Sequence, residues 1–166
     1  MFERSSDTLL DDWKQSKRRT IPLITGPRGV GKTTSVRRLG EGYSNLIEID
    51  MSDPVNRKLL ANVHDTDEFV STIGKKTGSE PIIGDDTLVV LDEVGLSVGS
   101  LGLLSALSNR ESVDVVMTAS CFRSLPSAHD APAPWIERVD IRPLDFRAFL
   151  HAMGCGEDAR RAERDV

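Results

Sequence analysis

The sequence predicts an α/β domain on a mostly parallel sheet, and three observations predict it. Short apolar runs alternate with helix-forming stretches along the 166-residue chain. One run, Ile21-Pro22-Leu23-Ile24-Thr25, leads directly into a glycine-rich segment that a helix-forming stretch follows. Another, Leu88-Val89-Val90-Leu91, is continuously apolar and closed by Asp92, the pattern of a strand buried on both faces. A chain of this length builds one domain with a sizeable core and is too short for two.

The elements follow in order. Leu9, Leu10 and Trp13 lie on one side of an amphipathic helix over 8–17. The strand over 21–25 carries Pro22 near its start, where a missing donor is tolerated. A helix over 32–41 stops at Gly42, and the alternating residues 46–50 form a second strand. Helices are expected over 54–63 and 66–76, the latter entered through Asp65 as a cap. After the strand over 88–92 come a leucine-rich helix over 99–109 and a buried strand over 113–119. Pro126, Pro132 and Pro134 make 124–134 an irregular loop. A shorter strand over 136–141 and a helix over 144–153 close the domain, which spans 1–154 and leaves 155–166 as a charged tail.

Composition removes several function classes. With 39% apolar and 28% charged residues the chain reads as globular, not disordered. A net charge of −5 gives no general attraction to nucleic acid or to an anionic membrane. Cys121 and Cys155 have no CxxC spacing, and His64, His129 and His151 are scattered, so all five read as core or surface residues. The charged N-terminus has no apolar h-region, and no stretch approaches the ~18 apolar residues of a membrane span. A cytoplasmic protein is expected.

Gly26-Pro27-Arg28-Gly29-Val30-Gly31-Lys32-Thr33 fits the G-x-x-x-x-G-K-[ST] phosphate-binding loop in full, and Thr34 continues it into the helix. Glycines let the backbone wrap closely enough for successive N–H groups to point into a polyphosphate. The helix beginning at Lys32 adds the positive end of its dipole. Lys32 supplies a charge to the β and γ phosphates, and the Thr33 hydroxyl can ligate magnesium. A chance match in a chain this long is on the order of one in a few hundred, and the strand before and helix after reduce that further.

Asp92-Glu93 ends the buried run about sixty residues beyond Lys32. In P-loop proteins a strand delivers an aspartate to hold magnesium, and Asp92 is placed for it. Glu93 is placed to orient and deprotonate an attacking water. That base separates ATP hydrolysis from a small-molecule P-loop kinase, whose acceptor is a substrate hydroxyl. The absence of an Asn-Lys-x-Asp element argues against a GTPase. In the catalytic-glutamate branch of these ATPases an extra strand lies between the P-loop strand and the Asp-Glu strand. Here it would be 113–119, ending in Thr118-Ala119-Ser120. Two readings fit Ser120: contact with the γ-phosphate or lytic water, or a cap on the turn.

Together these residues resemble the AAA-like ATPase domain of a prokaryotic family whose members join it to a C-terminal domain of unknown function. The resemblance runs from about Phe2 to Gly154 and is carried by the opening helix, the loop from Gly26 to Thr33, the stretch from Asn45 to Asp50 with Asp53-Pro54, and Asp92-Glu93-Val94. Arg142-Pro143-Leu144-Asp145-Phe146-Arg147-Ala148-Phe149-Leu150 is similar to the family's Pro-Leu-Ser-Phe-x-Glu-Phe-Leu. Gly29 and Gly95 stand where the family has glutamines, Ala119 where it has glycine, and Ala148 where it has an acidic residue.

The resemblance implies a three-layer P-loop NTPase sandwich on a mostly parallel five-stranded sheet of the additional-strand, catalytic-glutamate (AAA-like) type. It implies ATP and Mg2+ as cofactors, hydrolysis that drives a conformational change passed to a C-terminal partner domain or, by analogy of fold alone and without support from the charge, to DNA, and a homo-oligomer as a further partner. A nucleotide-dependent switch with little turnover is the first alternative, and a small-molecule P-loop kinase the second. Arg138 matches a family arginine before the fifth strand. It either stabilises phosphate charge, within the chain or across a subunit interface, or is a solvated strand residue. Family members continue well beyond this length, so the chain is expected to be an N-terminal ATPase module.

Overall fold

In the computed structural model, which describes residues 5–16, 20–77, 86–94, 113–120 and 135–143, five strands hydrogen-bond in the order β2-β3-β4-β1-β5. They are β1 (Ile21–Thr25), β2 (Asn45–Asp50), β3 (Thr87–Asp92), β4 (Val113–Ala119) and β5 (Ile136–Asp140). Every pairing is parallel. β4 therefore lies between β1 and β3, as the additional-strand type requires. The three inner strands are almost wholly buried, whereas β2 and β5, at the edges, are half exposed. β1 joins β4 only from Leu23 onward, so the missing N–H of Pro22 falls outside that ladder.

Strand alternation divides the core in two. Leu23, Ile49, Val89, Leu91, Val115 and Met117 face one way, against Leu60, Val63, Phe69 and Ile73. Those four come from, or just follow, helices α3 (Pro54–Leu60) and α4 (Thr66–Thr77). Ile24, Leu88, Val90, Val116 and Val139 face the other way, against Leu10, Trp13, Val36 and Leu39 of α1 (Ser5–Gln15) and α2 (Lys32–Gly40). The result is helix, sheet, helix: a three-layer sandwich.

Local chemistry explains the element ends. Asp53 caps α3 by accepting the Val55 amide at 2.8 Å, with Pro54 in the first turn. α3 stops at Leu60, short of the expected 63, because the Val63 amide turns back onto the Leu60 carbonyl at 3.2 Å and Val63 goes into the core. Asp65 caps α4 as expected, accepting the Glu68 amide at 2.8 Å. α1 begins at Ser5, earlier than the apolar stripe indicates. Its first turn carries Asp7, and Arg38 of α2 reaches both Asp7 (2.8 Å) and Asp11 (3.2 Å), fastening the two helices together. The expected helices over 99–109 and 144–153, the loop over 124–134 and the tail over 155–166 lie outside the described residues, as does Gly95. No helix among the described residues is long and apolar enough to cross a membrane.

Parallel pairing carries the C-terminal ends of all strands to one edge. Thr25 is level with Ala119 and Asp140, and Asp50 with Asp92. In open α/β sheets that edge is where ligands bind. Phe69, fully buried between α4 and the sheet, tests the packing that holds the edge together. Phe69→Ala is expected to cost about 3–5 kcal/mol, read as a fall in the midpoint of chemical denaturation at unchanged slope.

Candidate functional site

The loop between β1 and α2 is shaped by its glycines. Gly26, Gly29 and Gly31 have φ of 155°, 75° and 99°. A Cβ on Gly26 would collide with the carbonyl oxygen of Ile141, so the exit of β5 packs directly against the loop. Val30 turns inward and is buried with the α1–α2 side of the core, while Pro27, Arg28 and Gly29 face outward. Gly31 caps α2 in a left-handed conformation with no side chain to accept its amides, and the first turn holds no acidic residue. The start of α2 thus has no side-chain cap at the mouth of the loop. Thr34 is exposed on that first turn.

Three segments bring their side chains together here: the start of α2, the end of β3 and the end of β4. Lys32 is 5% exposed, and its ammonium donates to the carbonyls of Gly26 (3.1 Å) and Pro27 (3.2 Å) and to Ser120 Oγ (2.5 Å). Glu93 Oε1 is 3.6 Å from the same ammonium. Ser120, just past β4, engages both oxygens of Glu93: its hydroxyl donates to Oε1 and its amide to Oε2 (3.1 Å). Thr33 faces Asp92, with Oγ1 3.2 and 3.4 Å from the two carboxylate oxygens. The structure therefore joins Lys32, Thr33, Asp92, Glu93 and Ser120 in one cluster.

The donor set suits the groups that the loop implies. An uncapped helix start flanked by a buried lysine fits a polyphosphate. Thr33 and Asp92 supply hard oxygen donors, which match magnesium. Their mutual spacing is also longer than the ~2.7–2.8 Å of a strong hydroxyl–carboxylate bond.

Arg138 is placed differently. It stands half-exposed on edge strand β5, level with Leu23, and its Nε donates to Asp140 at 2.9 Å. Asp140 in turn accepts the hydroxyl of buried Thr25, the residue before the loop. Burial pushes the Asp140 carboxyl up, but the Thr25 bond and the bond and charge of Arg138, with Arg142 adding charge, hold it below the usual carboxylate range. Sequence reading passed over this Thr25–Asp140 tie, and also Thr118, which contacts both Asp92 and Glu93. A polar residue inside the otherwise apolar end of β4 was the available signal for Thr118.

Residues 18–150 match the family model of the AAA domain. The chain belongs to the AAA-domain family. Nucleotide binding of the P-loop ATPase kind comes with that membership. Among solved structures, this AAA domain is similar to the Walker-type ATPase PABY2304 of Pyrococcus abyssi, at 18% identity and a TM-score of 0.57. That match covers 97% of this chain and 59% of the other. It is also similar to PCH-2 of C. elegans, at 21% identity and a TM-score of 0.49, covering 94% of this chain and 45% of the other. The chain thus spans less than two thirds of either protein. A comparison with proteins of curated function finds no match.

The contact between Gly26 and Ile141 is directly testable. Gly26→Ala is expected to cost about 1–3 kcal/mol through overpacking, a fall in Tm of roughly 2–12 °C for a domain of this size. An unchanged Tm by calorimetry would mean that β5 does not buttress the loop.

Proposed function

We propose that this AAA domain binds Mg-ATP in the loop from Gly26 to Thr34 and hydrolyses it to ADP and phosphate. The observation that carries the reading is the convergence of Lys32, Thr33, Asp92 and Glu93 at the start of α2. The loop amides and the Lys32 ammonium bind the β and γ phosphates, the lysine exchanging its carbonyl and Ser120 partners for phosphate oxygens. Thr33 and Asp92 would hold the magnesium, which supplies charge neutralisation. Glu93 accepts a proton from water as the water oxygen bonds to the γ-phosphorus and the bond to the bridging oxygen of ADP breaks. Ser120, already against both Lys32 and Glu93, senses the γ-phosphate. Arg138 acts through Asp140 on the loop within this chain, or contributes charge to a neighbouring copy.

A second reading, a nucleotide-dependent switch with little turnover, is favoured by one feature. Both oxygens of Glu93 are engaged by Ser120, and the Lys32 ammonium is close by. A carboxylate held in this way is a poor base until it is released. In either case the output is a conformational change passed to a C-terminal domain or to a further copy. The domain is taken as 1–154, with 155–166 leading into that region, as in the prokaryotic family that the sequence resembles.

Thermal stability with and without Mg-ATP tests the site, with Mg-GTP as the control. At ~100 times the dissociation constant, ligand adds roughly 2.7 kcal/mol, a rise of about 5–11 °C for this size. Wild type and Glu93→Gln are expected to show it, and Lys32→Ala to lose it. Glu93→Gln should lower kcat by about 10²–10⁴-fold. If millimolar ATP shifts none of the three proteins, the nucleotide reading is wrong. Full binding with no wild-type turnover selects the switch.

A further inference from the structure

Thr118 belongs to neither sequence motif, yet it is the residue through which β4 grips the end of β3. Its side chain is completely buried. The hydroxyl is used twice: it donates to Asp92 Oδ1 and accepts the Glu93 amide N–H at 2.9 Å. The Thr118 carbonyl accepts the Val94 amide at 2.8 Å. Three consecutive residues, Asp92, Glu93 and Val94, are therefore held by one residue of the neighbouring strand. The middle one needs it. Among the described residues Glu93 is the one non-glycine residue at positive φ, 54°. A left-handed backbone costs about 1–2 kcal/mol at a residue with a Cβ and persists where its surroundings fix it.

The residue type suits the task. A hydroxyl carries one donor and two acceptor lone pairs, so it can serve a carboxylate on one side and an amide on the other. The β-branch restricts χ1, which keeps the hydroxyl aimed between them. Valine has nearly the same shape and can do neither. Asp92 lies on the α2 side of β3, in phase with Leu88 and Val90, where Thr33 waits at 3.2 Å. Its Oδ1 oxygen is committed to Thr118, so the hydroxyl fixes which way the carboxylate turns toward Thr33.

Resting on the function proposed above, we propose that Thr118 is a positioning residue of the ATPase site. Its hydroxyl sets the orientation of the Asp92 carboxylate and the left-handed turn at Glu93 together, so magnesium binding and water activation depend on one contact. Lys32 and the loop amides are untouched by it, so phosphate binding does not. A hydroxyl that merely satisfied a buried strand end would affect stability alone.

The test compares Thr118→Val and Thr118→Ser with wild type in three measurements: Tm without ligand, the Mg2+ concentration giving half of the ATP-induced thermal shift, and kcat with KM for ATP. Thr118→Val is expected to keep KM within a few-fold, while raising the Mg2+ half-point and lowering kcat by about 10–100-fold each, the usual scale for a support behind a metal ligand. Thr118→Ser, which retains the hydroxyl, is expected to restore both. Should Thr118→Val not fold, Thr118→Ala against Thr118→Ser gives the same comparison. A lower Tm with the Mg2+ half-point and kcat of the hydroxyl-less variants within about threefold of wild type would overturn the proposal and leave the function standing. A wild-type protein that ATP does not stabilise would overturn the functional reading, and this inference with it. If wild type binds Mg-ATP without turnover, the Mg2+ half-point alone decides.

Discussion

Between the strand that leads into the phosphate loop and the strand that ends in Asp92 lies β4, and its last residues join the two motifs physically. Thr118 contacts Asp92 and Glu93, and Ser120, one residue past the strand, contacts Glu93 and Lys32. β4 thereby adds a second polar link beside the direct Thr33–Asp92 and Lys32–Glu93 contacts. Parallel pairing produces the arrangement. With Leu23 level with Met117 and Leu91 level with Met117, the three strand ends stand side by side at one edge of the sheet.

Charge compensation follows from the same placement. A lysine that is 5% exposed must replace its lost hydration, and here the Gly26 and Pro27 carbonyls, Ser120 Oγ and the Glu93 carboxylate do so. A polyphosphate offers the ammonium a stronger set of partners than two carbonyls and a hydroxyl. Binding therefore exchanges one compensated state for another, with no charge left bare between them. Ser120 is common to both carboxylate and ammonium, so whatever takes the lysine from it also changes what holds Glu93.

Much of this was legible in the sequence because it is local. The loop from Gly26 to Thr33 is a contiguous pattern, the strand ending in Asp92 has an unmistakable apolar run, and the place of 113–119 between them follows from the glutamate after Asp92. Ser120 was found through that strand. What sequence reading passed over is what depends on register. The Thr25–Asp140 contact exists because those residues are level on paired strands, and no local pattern encodes which residues are level. Arg138 was singled out through the family resemblance, and the structure pairs it with Asp140, two positions along the same strand face. Thr118 lay in view as part of a strand end, but its role appears only when β4 and β3 are side by side. The ends of α1 and α3 moved for a similar reason. Arg38 holds Asp7 and Asp11 from another helix, and Val63 leaves α3 to enter the core.

The central claim is that polyphosphate occupies the loop amides at the start of α2 and takes Lys32 from Ser120. Hydrogen–deuterium exchange with and without a non-hydrolysable Mg-ATP analogue tests it most directly. The account predicts slowed exchange concentrated in residues 26–34, with a change at Ser120 as its partner leaves. Exchange in 26–34 unaltered by saturating nucleotide, or protection confined to another face of the sheet, would contradict it.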